Sequence, residues 1–205
     1  MLIIAIIGSL LFSFNLSNDS ISHVDKVDSD FSHVIDDDSL IVWSTDRKLE
    51  WSDFLGIPDT VKFKRFKAIS ANGYFDIKNK IKGDSIEVFI YCYFDRYKSW
   101  SIWEDKELLN HEQRHFDLAE VIVRKFRKRV SNYPLKNENS FWYWYRNVAL
   151  NEYLNEKSYY QLYDKETNHG TIIEIQQKWD KKIDDMLEEL KDYSNPRVVV
   201  RKKDR

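Results

Sequence analysis

Cysteine is nearly missing from this chain: among its 205 residues only Cys92 carries a thiol. One thiol cannot close an intramolecular disulfide, so a small stapled scaffold and a cysteine-built zinc finger are both excluded. A dominant charge is missing as well. Lys and Arg number 32 against 34 Asp and Glu, a net charge of -2, which argues against a strongly basic nucleic-acid surface and against a polyacidic solvating chain. The charge is nevertheless segregated. Residues 1–40 hold one Lys and seven Asp, a net of -6, which leaves 31 basic and 27 acidic residues and a net of +4 in residues 41–205. A membrane-spanning run is also lacking at the N-terminus. Leu2–Phe14 is free of charge, but its thirteen residues fall short of the roughly 20 that cross a bilayer as a helix.

What is present is aromatic surface. Seven Trp, twelve Tyr and twelve Phe supply the large apolar area that offsets chain entropy, so the composition predicts a packed body rather than disorder. The apolar run at the start matches the hydrophobic region of a secretory signal. Residues 1–17 therefore read as a signal peptide or an uncleaved N-terminal anchor, with a buried strand or helix as the plain alternative. No cysteine follows the run, which excludes lipid attachment there. Export to a periplasmic or extracellular location is the expectation, with membrane association through the apolar segment if it is not cleaved. Residues 18–40 are rich in Asp, Ser and Asn and read as an acidic linker. Its His23 and His33 read as solvated linker residues rather than metal ligands.

The body, residues 41–193, divides by period. Ala68–Ile77 alternates apolar and polar residues as a half-buried strand does, Lys82–Ser85 supplies a turn, and Ile86–Phe94 returns as a strand rich in β-branched and aromatic residues. Cys92 lies in that second strand and reads as a packed thiol. From Glu104 the period becomes helical, with Leu108, Leu109, Ala119, Ile122, Val123, Phe126 and Val130 at three- and four-residue spacings. The cations Arg124, Lys125, Arg127, Lys128 and Arg129 read as a solvated helix end. Further helices are predicted from about Ser140 to Tyr163 and from about Thr171 to Tyr193, and residues 194–205 as a basic tail. Strands followed by helices indicate an α+β domain, an antiparallel hairpin or small sheet packed on one long helix and two more.

The chemistry lies in the long helix, at His111-Glu112-Gln113-Arg114-His115. Four steps of 100° bring the two imidazoles to within 40° of each other, so both reach one ion. Zinc accepts imidazole nitrogen at about 2.0–2.1 Å, and a catalytic site combines three protein ligands with an open position for water. Glu112 flanks the same face and suits a general base that takes a proton from such a water. This is the H-E-x-x-H arrangement of helix-borne metallopeptidases. The histidines share their stripe with Leu108, Ala119 and Ile122, where unpaired imidazoles are costly; the plain alternative is a pair of core histidines bonded to carboxylates.

A third ligand must come from elsewhere. Asp117 and Glu120 point roughly 160° and 140° away from His115, and can orient other groups or face water. The metzincin pattern, with a Gly and a third His after the motif, is absent. Glu152 and Glu156 on the second helix remain, as does the polar cluster Tyr163–Gly170, in which His169 is the best nitrogen donor and Asp164 its main rival.

Together HEQRHFD (His111–Asp117), YDKETNHG (Tyr163–Gly170), Gln176, Trp179 and the upstream WSDFLGIP (Trp51–Pro58) give the chain a family likeness. Over approximately Ile41–Leu190 it resembles a bacterial family of predicted secreted zinc-dependent proteases, catalogued as domain of unknown function 922. The resemblance implies an exported zinc peptidase whose leader is removed. The residues and the resemblance combine into one expectation: a zincin-like fold that binds one Zn2+ through His111, His115 and His169, with Glu112 as general base and a peptide or protein as substrate. Tyr163, Tyr160 and Tyr159 are the candidate donors to the oxyanion. Nucleic acid is not an expected partner. Two readings of other classes stand beside it: a non-catalytic zinc- or peptide-binding protein of the cell envelope, and a structural helical domain whose histidines bind nothing.

Overall fold

The computed structural model describes residues 38–202 except Arg65, Gly83, Asp84 and Lys157, and it leaves aside the side chains of Phe75, residues 77–82, Leu150, Glu152 and Leu154. The leader and nearly all of the acidic linker, with His23 and His33, lie outside the described residues. The fold is α+β. Its strands are β1 (Leu40–Val42), β2 (Ala68–Ile69), β3 (Asn72–Lys82), β4 (Ser85–Asp95), β5 (Trp100–Ser101) and β6 (Arg197–Arg201). Its helices are α1 (Lys106–Ser131), α2 (Glu138–Trp144), α3 (Leu150–Glu156), α4 (Ser158–Thr167) and α5 (Ile173–Glu189).

Strand β4 is the centre of the sheet. The hairpin partner β3 runs along one edge, from Asn72 opposite Phe94 to Lys82 opposite Ser85, while β1 and β6 share the other edge and pair with its two ends. Burial along β4 alternates residue by residue, as the period-2 pattern requires. Ile86, Val88, Ile90, Cys92 and Phe94 face Phe116, Ala119, Ile122, Val123, Phe126 and Val130 of α1 in one core. A smaller cluster on the far side of α1 joins its Leu118 and Val121 to Tyr163, Trp179, Ile183 and Leu190. Helix α1 is thus covered by the sheet on one side and by α4 and α5 on the other, and sixteen of its 26 residues are buried. Its start is fixed by Asp105, whose carboxylate accepts from the Leu108 amide at 2.7 Å. Among the described residues no helix is long and apolar enough to cross a membrane.

Three expectations need correction. The first strand is interrupted at Ser70 and Ala71, because Ala71 N donates to Ser99 Oγ and its carbonyl accepts from Asp95 N; β2 pairs with β5 instead of continuing the hairpin. The second helical stretch is broken into α2, a π-turn at Tyr145–Ala149, α3 and α4. At that turn Tyr145 is buried and donates to Asp76 Oδ2 at 2.7 Å, a tertiary contact that draws the chain out of regular helix. Part of the basic tail, residues 194–205, belongs to the sheet of the body. Val198 and Val200 are buried under β4, and the segment Arg197–Arg201 closes the sheet edge as β6.

Candidate metal centre

His111 and His115 both leave α1 on the side covered by α4, as their four-residue spacing dictates. Their rings are 4.7 Å apart and perpendicular. Helix α4 ends at Thr167, and the chain then passes through three consecutive left-handed residues, Asn168 (φ 49), His169 (φ 54) and Gly170 (φ 77). Such backbone is costly for residues with a Cβ, and it persists where the surroundings hold it. Here the His169 amide donates to Asp164 O at 2.9 Å, Ile172 N to Thr167 O at 3.0 Å, and Gly170 N to Thr167 Oγ1 at 3.2 Å. The turn swings His169 back over α1. It also explains Gly170, since a Cβ there would lie 2.9 Å from Cβ and Cγ of His111.

The convergence point is Asp164 Oδ1. It lies 3.2 Å from His111 Nε2, 2.9 Å from His115 Nε2 and 3.5 Å from His169 Nδ1. Ligand atoms of His111, Asp164 and His169 are all within 4.8 Å of one another. His111, His115 and Asp164 are buried, whereas the His169 side chain is 49% exposed and borders solvent. Burial alone would raise the Asp164 carboxyl, but the charge of His115 and the contacts with His111, His115 and His169 outweigh it and hold the group well below the usual carboxylate range. Burial likewise opposes charge on His115, yet Asp164 moves its titration upward. The same carboxylate raises His169.

The chemistry of His111, Asp164 and His169 fits a metal ion such as zinc, and His115 stands outside that group but reaches it through Asp164. Two ligands, each about 2.1 Å from a tetrahedral ion, stand about 3.4 Å apart, and the three separations around Asp164 bracket that value. Imidazole nitrogen and carboxylate oxygen are both zinc ligands. Both rivals for third ligand, His169 and Asp164, are therefore brought to the histidine pair. The glutamates are not equivalent to them: Glu156 accepts from Lys125 at 2.9 Å, and the Glu152 side chain lies outside the described residues.

Glu112 is buried beside the cluster, where its charge acts on His115, His169 and Tyr163. Among the described residues none donates a hydrogen bond to its carboxylate. The tyrosine candidates separate by contact. Tyr163 is fully buried and stacks on His111 at 4.7 Å and 21°. Its hydroxyl donates to His111 O at 3.2 Å and accepts from Gln176 Nε2 at 2.7 Å, so it supports the histidine and does not face a substrate. Tyr159 lies under Lys125 Nζ at 4.4 Å. The Tyr160 ring lies 6.0 Å from that of His115, beyond the Tyr163 ring at 4.8 Å.

Asp117 and Glu120 do not face water. Asp117 accepts from Trp43 Nε1, Gln113 Nε2 and Arg114 Nη1 at 2.9, 2.8 and 3.1 Å. Glu120 accepts from Arg124 Nε at 2.9 Å and Arg127 Nη1 at 2.7 Å, and those two arginines are only 4% and 3% exposed. The solvated reading of the cationic helix end is corrected at these two positions: a buried carboxylate one turn before Arg124 and two before Arg127 draws them inward.

Sequence reasoning missed two contacts of the site. Phe66 sets its ring edge-on against His169 at 5.1 Å, within a basic stretch that carried no period to mark it. Gln176 Oε1 lies 3.1 Å from His111 Nδ1; only its place in the family pattern distinguished it. No protein-family profile, no curated protein and no solved structure matches the chain.

Proposed function

We propose that the protein is an exported, zincin-like zinc metallopeptidase. The observation that carries the reading is the meeting of His111, His115, Asp164 and His169 next to a buried glutamate to whose carboxylate no described residue donates a hydrogen bond. A bound zinc ion would polarise a scissile carbonyl and lower the pKa of water toward about 7. His111 and His115 hold it as nitrogen ligands, and His169 completes the set from the solvent side. Glu112 takes the proton of the attacking water and delivers it to the leaving amine, a role that asks for a carboxylate near the ion and free of tight partners. Asp164 serves as a fourth ligand or holds the imidazoles in place. Tyr160 is the candidate donor to the oxyanion. Export rests on the apolar stretch Leu2–Phe14.

A second reading is favoured by one feature. Three imidazoles and a carboxylate amount to four ligands, and a closed four-ligand shell is the mark of a structural site; the protein would then be a non-catalytic zinc-binding component of the cell envelope. Digestion of a broad peptide library by the zinc-loaded protein separates the two. Cleavage by the wild type that disappears in Glu112→Gln, with zinc content unchanged, supports the peptidase. Equal cleavage by the variant, or none by either, removes it.

A further inference from the structure

We propose that Gln176 and Asp180 are positioning residues that set the tautomer of His111, so that its Nε2 lone pair is presented to the metal. Neither residue belongs to the ligand set. The inference rests on reading His111 as a ligand, but its first test does not require a metal.

A chain of hydrogen bonds runs from Asp180 inward to His111. The Asp180 carboxylate can only accept, and it is held from α1 by Asn110 Nδ2 at 3.1 Å and by Arg114 Nε at 3.4 Å. Gln176, one helical turn earlier on α5, places its Nε2 at 2.7 Å from Asp180 Oδ1. An amide oxygen in that place would confront a carboxylate oxygen, so Asp180 fixes which end of the amide is which. The Tyr163 hydroxyl touches both ends of the amide, Nε2 at 2.7 Å and Oε1 at 3.0 Å, and suits either orientation, so Asp180 decides it. Gln176 Oε1 must then face His111 Nδ1, 3.1 Å away, and an amide oxygen requires a hydrogen on that nitrogen.

With Nδ1 protonated, a neutral His111 has a bare Nε2, and the nearest acceptor to it is Asp164 Oδ1 at 3.2 Å. Two lone pairs cannot share that gap. Only a cation between or beside them relieves the conflict, whether a proton or a metal ion. The ring is hemmed in: Tyr163 stacks on it at 4.7 Å, and Gly170 lies so close that a Cβ there would meet its Cβ and Cγ at 2.9 Å. Gln176 is 4% exposed, so water does not compete for its amide. Outer partners of metal-bound histidines commonly influence affinity by about 10–100-fold.

The test uses Gln176→Leu, which keeps bulk and loses the acceptor, Asp180→Ala, which frees the amide to reverse, and the double variant Gln176→Glu/Asp180→Asn, which keeps an acceptor toward His111 and puts an amide where the second carboxylate oxygen would otherwise meet Asp180. In metal-free full-length protein, 15N-correlated NMR of the imidazoles should show hydrogen on Nδ1 of His111 in wild type and in Gln176→Glu/Asp180→Asn. In Gln176→Leu it should move wholly or partly to Nε2. Competition with a chromophoric chelator should then show zinc affinity lowered about 10–100-fold by Gln176→Leu, less by Asp180→Ala, and within a few-fold of wild type for Gln176→Glu/Asp180→Asn. A wild type whose His111 carries no hydrogen on Nδ1, or Gln176→Leu with unchanged tautomer and affinity, overturns the proposal; should that variant not fold, unchanged tautomer and affinity in Asp180→Ala overturn it equally. Absence of peptide cleavage would remove the peptidase reading and leave this one standing.

Discussion

Helix α1 carries two buried polar clusters, one toward α4 and one toward its C-terminal half, and they balance their charge differently. Around Glu120, two guanidiniums meet one carboxylate, and their remaining donors go to carbonyls: Arg124 Nη1 to Leu187 O at 2.6 Å, Arg127 Nε to Ile90 O at 2.9 Å and Arg127 Nη1 to Tyr193 O at 3.0 Å. That network is closed and ties α1 to the sheet and to the chain that leads into β6. Around Asp164, three imidazoles surround one oxygen, one of them borders solvent, and Glu112 stands by without a donor among the described residues. A closed network stabilises a fold, whereas a convergence of acceptors invites a cation.

The comparison can be broken at either end. The largest effect is expected from Glu112→Gln, which should lower peptide cleavage by about 10²–10⁴-fold while zinc content and urea denaturation midpoint stay as in wild type. Glu120→Ala should do the reverse. Removing one partner of a buried ion network leaves two guanidiniums uncompensated and costs about 3–5 kcal/mol, read by urea denaturation, while the folded fraction still binds zinc. Gly170→Ala should cost about 1–3 kcal/mol, since it adds a Cβ to a left-handed residue in contact with His111, and its loss should fall on zinc affinity as well as on stability. The smallest effect is expected at Cys92. Burial, reinforced by the nearby Glu120 charge, pushes its thiol well above the ordinary range, so iodoacetamide at pH 8 should leave the folded protein unmodified and label it fully after denaturation.

The same contrast shows what could be read from the chain. The histidine pair was legible because helical spacing is local: two residues four apart share a face whatever the rest of the molecule does. The His169 turn was legible as a polar cluster ending in Gly170 between two helices, although its three left-handed residues were not. Partners brought by tertiary docking left no trace in local pattern. Arg124 and Arg127 looked like surface cations because period and charge cannot report that α5 and β6 cover them. Gln176 meets His111 across 65 positions of sequence, and no spacing rule reaches that far. The strand at Arg197–Arg201 did carry a signal, the run Val198-Val199-Val200, which the flanking cations outweighed in a reading by composition.

The central claim is that α1 and the turn after α4 build one zinc site. Elemental analysis of the purified protein beside His111→Ala, with folding of both checked by circular dichroism, tests it most directly. One zinc per chain in wild type and little or none in the folded variant is the expected result. A wild type without near-stoichiometric zinc, or a variant that keeps its full complement, would contradict the account.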